Sequence, residues 1–262
     1  MVIELNPDTI ESLLYAFFLA LIRCSIFIVS LPLIGSKSLP GQVKILLIIV
    51  LSIVGGMLIY PEIDDVLAQH SLFSLVASQL LIGFLMAFMF RLVFEMFEFA
   101  GRLISMAVGF GFADQPGFAS NQKNSMIGSL LYIFIGLVFI ASDGINMFVS
   151  TVLESFYLIT IPWGASLASI YPDVISWMGA MFVHGMMLAL PVVGAVYGCN
   201  LMLSVLNKAA PALQVISVGF PLYILCSLYF LWLTNIDRSK DALELFESMQ
   251  LLIFETLRGL RV

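Results

Sequence analysis

From Val174 to Asn207 the chain runs for 34 residues without a formal charge. As one straight helix this stretch would reach about 51 Å at ~1.5 Å per residue, against a bilayer hydrocarbon core of ~30 Å. An apolar element of that length belongs in lipid, and it must bend, break or double back to fit there. Pro191, Gly194 and Gly198 mark the expected place, because proline removes a helix hydrogen bond and glycine relaxes the backbone. The spacing Gly194-xxx-Gly198 also suits close approach of a second helix.

The rest of the chain agrees. Of its 262 residues, 61% are hydrophobic and only 11% charged, where soluble domains carry ~25% charge because their surfaces face water. A soluble protein would have to expose this excess as aggregating patches. Further apolar runs cover Leu13–Ile34, Ile45–Tyr60, Leu72–Phe90, Met126–Ser142, Ile145–Ile161 and Ala209–Ile236. Asn6 and Pro7 suit a helix start, and the acidic residues Glu4, Asp8 and Glu11 do not fit the basic opening of a cleavable signal. Gly55-Gly56 reads as a flexible pair, Pro61–Asp65 as an acidic loop, and Leu72–Phe90 as a run prolonged by a charged helical extension to Arg102. The stretch Ile145–Ile161, with Glu154 inside it, reads as interfacial or packed within an assembly. No polar linker divides the chain, so one all-α, polytopic membrane-type unit with kinked or broken helical hairpins is expected over 1–262. Within it, 1–236 form apolar helices and 237–262 an amphipathic C-terminal helix. Ala242, Leu245, Phe246, Met249, Ile253, Leu257 and Leu260 share one face of that helix, opposite Glu244, Glu247, Glu255 and Arg258. Such a face can lie on a membrane or dock on a partner.

A six-span count marks alternate loops as cytoplasmic by Lys37 and Lys44, by Arg102 and Lys123, and by Lys208. It also leaves the basic residues Arg238, Lys240, Arg258 and Arg261 of the tail on the outer side. That contradiction requires either that one run does not span or that the helices end outside a plain bilayer.

Four charges stand out. Arg91, Glu95, Glu98 and Arg102 fall within ~60° of one another on a helix wheel. They form (i, i+4) pairs that can neutralise each other. The stripe is either a solvated face on a helix leaving the membrane or a polar surface toward a pore or partner. Residues 109–124 form the longest irregular segment, in which glycine and proline block helix while Phe110, Phe112 and Phe118 make it apolar. It can pack under neighbouring helices or close a conduit, since hydrophobic constrictions exclude water and ions. Cys24, Cys199 and Cys226 read as small buried hydrophobes, His184 as a packed polar residue, and Asp143 beside Gly144 as a helix terminator. No Walker A loop, HExxH or GxSxG is present. No His/Asp/Glu cluster points to a catalytic or metal site, and no cofactor or nucleic-acid partner is expected.

The residues carry a resemblance. Pro32-Leu33-Ile34-Gly35-Ser36-Lys37-Ser38-Leu39-Pro40-Gly41-Gln42-Val43-Lys44 is similar to the first loop of the FliR family of flagellar type III export-gate proteins. Ala100-Gly101-Arg102-Leu103-Ile104 followed by Asp114-Gln115-Pro116 resembles its central segment. The stretch Ala210–Leu222 resembles the family's Pro-Gln-Leu-Asn-x-x-x-x-Gly-Phe-Pro signature through Pro211, Leu213, Gln214, Gly219, Phe220 and Pro221. Ala212-Leu213-Gln214 stands where the family has Gln-Leu-Asn, and Ser142-Asp143-Gly144 where it commonly has a Gly-His pair.

The resemblance implies a non-enzymatic subunit in the bacterial inner membrane, within the flagellar basal body. It implies FliP-like and FliQ-like partners, an FlhB-like switch protein, membrane lipid, and unfolded export substrates in transit. It also implies that Gly109, Phe110, Gly111, Phe112, Pro116, Gly117 and Phe118 belong to a loop plugging the closed channel. Rival readings are the homologous SctT subunit of a virulence injectisome and a stand-alone small-solute transporter.

Overall fold

The computed structural model describes residues 7–35, 39–109, 125–159, 167–209 and 215–259. Every long element among them is an α-helix: α1 (Pro7–Ser30), α2 (Gly41–Ile59), α3 (Ile63–Gln69), α4 (Leu72–Val108), α5 (Met126–Ala141), α6 (Gly144–Leu158), α7 (Leu167–Ala209) and α8 (Val215–Gly259). Helices satisfy their backbone groups internally, which is what a lipid environment demands. Four helical stretches, Thr9–Ser30, Gly41–Gln69, Leu72–Val108 and Pro172–Leu206, are long and apolar enough to cross a membrane. The broken pair α5 and α6 raises the number to five if it counts as one span. The last expected apolar run lies in α8, whose helical residues 215–236 carry no charge.

Several local expectations change. α7 runs unbroken over 43 residues through Pro191, Gly194 and Gly198, so the chain neither breaks nor doubles back there. A Cβ placed on Gly194 or Gly198 would meet nothing within 4 Å, so neither glycine serves close approach within the described chain. Pro61–Asp65 is helical rather than a loop: a 3₁₀ turn, Tyr60–Glu62, leads into α3, where Asp64 and Asp65 occupy the favourable N-terminal turn. Ser12 Oγ donates to Asp64 Oδ1 at 2.6 Å and ties α3 back to α1. A break falls at Asp143, the expected helix terminator, with a left-handed φ of 63° between α5 and α6. Its carboxylate accepts from Asn146 Nδ2 at 2.8 Å.

The described chain forms two compact units. The first contains α1, α2, α3, the N-terminal half of α4, α6, the start of α7 and the end of α8. Its core holds an edge-to-face aromatic cluster, with the Phe90 and Phe148 ring centroids 4.7 Å apart and Phe27 at 6.0 Å from Phe90. Gly55 and Gly56 lie buried in continuous α2, one against the Phe156 ring and the other against the backbone of α1 at Phe17. They permit close packing and are no hinge. α6 is packed inside, burying Phe148, Thr151, Val152, Ser155 and Phe156 and leaving Glu154 exposed. The C-terminal end of α8 joins the same core: Phe246, Met249, Ile253 and Leu257 are at most 1% exposed. Gln250 Nε2 donates to Ser150 Oγ at 3.1 Å on α6. The amphipathic face is therefore covered by the chain itself, so neither a membrane surface nor a partner is needed to bury it.

The second unit comprises the C-terminal half of α4, α5, most of α7 and the N-terminal two-thirds of α8. α4 and α5 run antiparallel and nearly touch: a Cβ on Gly101 would lie 2.4 Å from the Gly128 Cα. Phe94 packs on Tyr132 and Phe139, each at 5.7 Å, and Phe99 meets Phe182 of α7 edge-on at 5.4 Å. α7 and α8 form an antiparallel pair linked by Tyr223 Oη donating to Asn200 Oδ1 at 3.0 Å. His184 is exposed on α7 and is not a packed core histidine.

Candidate functional site

Arg23 interrupts the most apolar part of α1, and a cation there must find protein partners. It is wholly buried in the first unit. Its Nε donates to Gln79 Oε1 of α4 at 2.6 Å. Nη1 donates to the Ser155 carbonyl at 3.0 Å and Oγ at 3.2 Å, and Nη2 to the Ile159 carbonyl at 3.0 Å. The guanidinium also lies 4.3 Å from the Phe156 ring centroid. The two carbonyls lie at the C-terminal end of α6, where the dipole favours a cation; the Ser155 carbonyl also accepts the Ile159 N–H at 3.0 Å. Arg23 thus fastens three helices by chemistry, and it offers no free group for a reaction.

The 109–124 segment is framed from both sides. α4 ends at Gly109, whose φ of +97° only glycine adopts easily, and whose N–H donates to the Met106 carbonyl at 3.2 Å. α5 starts with Ser125 as its cap, Oγ accepting from the Gly128 N–H at 2.9 Å. Because α4 and α5 are antiparallel, the chain enters and leaves this segment at one end of the second unit. Phe110, Gly111, Phe112, Pro116, Gly117 and Phe118 lie outside the described residues.

The stripe residues all lie on α4. Arg102 Nη2 donates to Glu98 Oε1 one turn away; Glu98 is buried while Arg102 is half exposed. That is the local neutralisation which the (i, i+4) spacing offers. Arg91 is exposed and Glu95 partly buried. Of the Pro211–Pro221 motif, Pro211, Leu213 and Gln214 fall outside the described residues. Gly219 is buried in α8, and Pro221 sits inside the helix without ending it. The sulfurs of Cys199 and Cys226, read from sequence as small buried hydrophobes, stand 3.2 Å apart. Both side chains are partly exposed, while Cys24 is fully buried. Among the described residues no group of three or more His, Cys, Asp or Glu comes together as a metal site.

Long apolar helices, internally paired charges and a framed aromatic segment define a multi-pass helical membrane protein. Comparison with known proteins narrows the class. The chain belongs to the bacterial export proteins, family 1, whose family model matches residues 14–248. It is similar to the flagellar biosynthetic protein FliR of Buchnera aphidicola subsp. Acyrthosiphon pisum, at 27% identity over 87% of this chain and 88% of the relative. FliR of Escherichia coli K12 is 26% identical over 84% of each chain. FliR of Aquifex aeolicus is 26% identical over 93% of this chain and 96% of its own length. Helices and family together make this a multi-pass membrane protein of the flagellar export apparatus.

Proposed function

We propose that the chain is a single helical domain of the flagellar type III export gate, a non-enzymatic subunit that helps enclose the passage for unfolded flagellar proteins. The observation that carries this is the export-family match across nearly the whole chain, on helices long enough to span a membrane. Its place is the bacterial inner membrane, in the basal body. Its partners are FliP-like and FliQ-like subunits and an FlhB-like switch protein, and export energy comes from other components. The flagellar names of the relatives favour flagellar cargo over an injectisome.

In this reading the segment with Gly109, Phe110, Gly111, Phe112, Pro116, Gly117 and Phe118 is the channel plug. The helix ends at Gly109 and Ser125 support it, because a plug needs fixed ends. The stripe of Arg91, Glu95, Glu98 and Arg102 meets the passage or a partner through its exposed members Arg91 and Arg102, with Glu98 buried beneath Arg102, and the Pro211–Pro221 motif joins α7 to α8. Deleting Gly109–Gly117 in the assembled gate raises ion leakage, and unchanged conductance would remove the plug assignment. Complementing the motility of a strain that lacks its own flagellar subunit supports the flagellar reading. Co-purification with two other apolar proteins supports a gate, whereas solute transport by the lone chain in vesicles would replace the reading altogether.

A further inference from the structure

We propose that Cys199 and Cys226 form a dithiol site that closes to a disulfide and covalently locks α7 to α8. This rests on the geometry of the helix pair alone and stands or falls independently of the export reading. The two sulfurs are 3.2 Å apart, so about 1 Å of approach separates them from a bond of ~2.05 Å. They come from positions 27 residues apart, and the pair is held in register by its neighbours. Tyr223 Oη donates to Asn200 Oδ1 at 3.0 Å, one residue from one thiol and three from the other. Gly219 packs near Leu203 on the far side of the same seam. With both helices fixed, ring closure replaces a bimolecular encounter by an intramolecular one. Both thiols are partly exposed, so a reagent reaches them, while Cys24 at 0% exposure provides an internal control.

The chemistry is thiol–disulfide exchange with a disulfide, small or carried by a protein. One cysteine sulfur attacks the incoming S–S bond, forming a mixed disulfide and releasing the first thiol. The second cysteine then displaces the remaining half, forming the Cys199–Cys226 bond. Two electrons and two protons leave the chain, and the reagent disulfide departs as two thiols. The product joins α7 to α8 and holds the antiparallel pair together until a reductant reopens it.

The test uses the full chain in membranes of the producing cell, treated with a dipyridyl disulfide. The sample is denatured in N-ethylmaleimide, reduced, and labelled with maleimide-polyethylene glycol. Two added polymers are expected for the wild-type chain and for Cys24→Ser, and one for Cys199→Ser or Cys226→Ser. Peptide mapping of the unreduced wild-type chain is expected to show the two cysteine peptides joined, with two hydrogens lost. This readout does not depend on any variant folding. Separate pyridyl adducts on Cys199 and Cys226 would overturn the proposal, as would a cross-link joining two copies of the chain.

Discussion

Arg23 shows how one residue can organise a membrane-type core. A guanidinium carries five donors in a fixed plane, and here they reach acceptors on α4 and α6 while the cation stacks on Phe156. Arg23→Met leaves the Ile159 carbonyl and the Gln79 amide oxygen short of the Arg23 donors and the Ser155 carbonyl with its helical N–H alone. A buried acceptor left without its donor costs ~1–3 kcal/mol. The full chain in detergent should therefore melt well below wild type, with Arg23→Lys in between, because an ammonium cannot copy the planar fork. An Arg23→Met midpoint equal to wild type would show that the cluster is not structural. That Arg23 needs partners is legible in sequence, since a cation amid apolar residues cannot stand alone. Which partners it finds is not legible, because the amide and carbonyl oxygens it reaches lie 56 to 136 positions away. The cysteine pair was hidden for the same reason. Spacing along the chain says nothing about two helices that meet side by side.

At the scale of the element, periodicity and long apolar runs carried most of the information. α4 follows the expected apolar run and charged extension as one helix of 37 residues. Glycines were harder to read, because the same residue marks a hinge, a close contact or nothing at all. Gly101 and Gly128 mark a close contact. Gly101→Ala would press its methyl group onto backbone 2.4 Å away, and overpacking of this kind costs ~1–3 kcal/mol. Gly194→Ala has open space and gains up to ~1 kcal/mol of helix propensity. Opposite shifts in thermal midpoint for the two variants would confirm the distinction, and equal shifts would refute it. The C-terminal end of α8 is likewise a core element. Phe246→Asp with Met249→Asp should release residues 246–259 from the first unit and open them to proteolysis, since both side chains are essentially unexposed. Glu247→Gln, on the exposed face, should leave the cleavage pattern unchanged. Retained protease resistance in the double variant would show that this end packs loosely. The sequence reading recognised the amphipathic face correctly but could not say what covers it, because any apolar surface, including the chain's own, satisfies the pattern.

For the whole molecule, the number of spans decides the sidedness of the tail. Six spans returned both termini to the same side and stranded four basic residues outside. Besides α8, the described helices supply four spans, or five if α5 and α6 form one broken span. The charge-free stretch 215–236 of α8 extends about 33 Å at ~1.5 Å per residue, enough for a ~30 Å core, so the charges that follow it, not its length, argue against a crossing. Starting with the N-terminus outside, α1 places Lys37 and Lys44 in the cytoplasm, and α2 returns the acidic 61–65 region outside. α4 then brings Arg102 and Lys123 inside. The broken pair and α7 make one further excursion, which leaves Lys208 inside. With α8 not crossing, Arg238, Lys240, Arg258 and Arg261 stay inside too, so every basic cluster obeys the same rule. Reporter fusions should therefore give a cytoplasmic signal after Val262 and an external one after Asp65. If the fusion after Val262 is external instead, α8 crosses despite the basic residues that follow it, or α5 and α6 re-enter without spanning. Fusions at Thr160 separate these cases, because a re-entrant pair would bring Thr160 back to the cytoplasmic side.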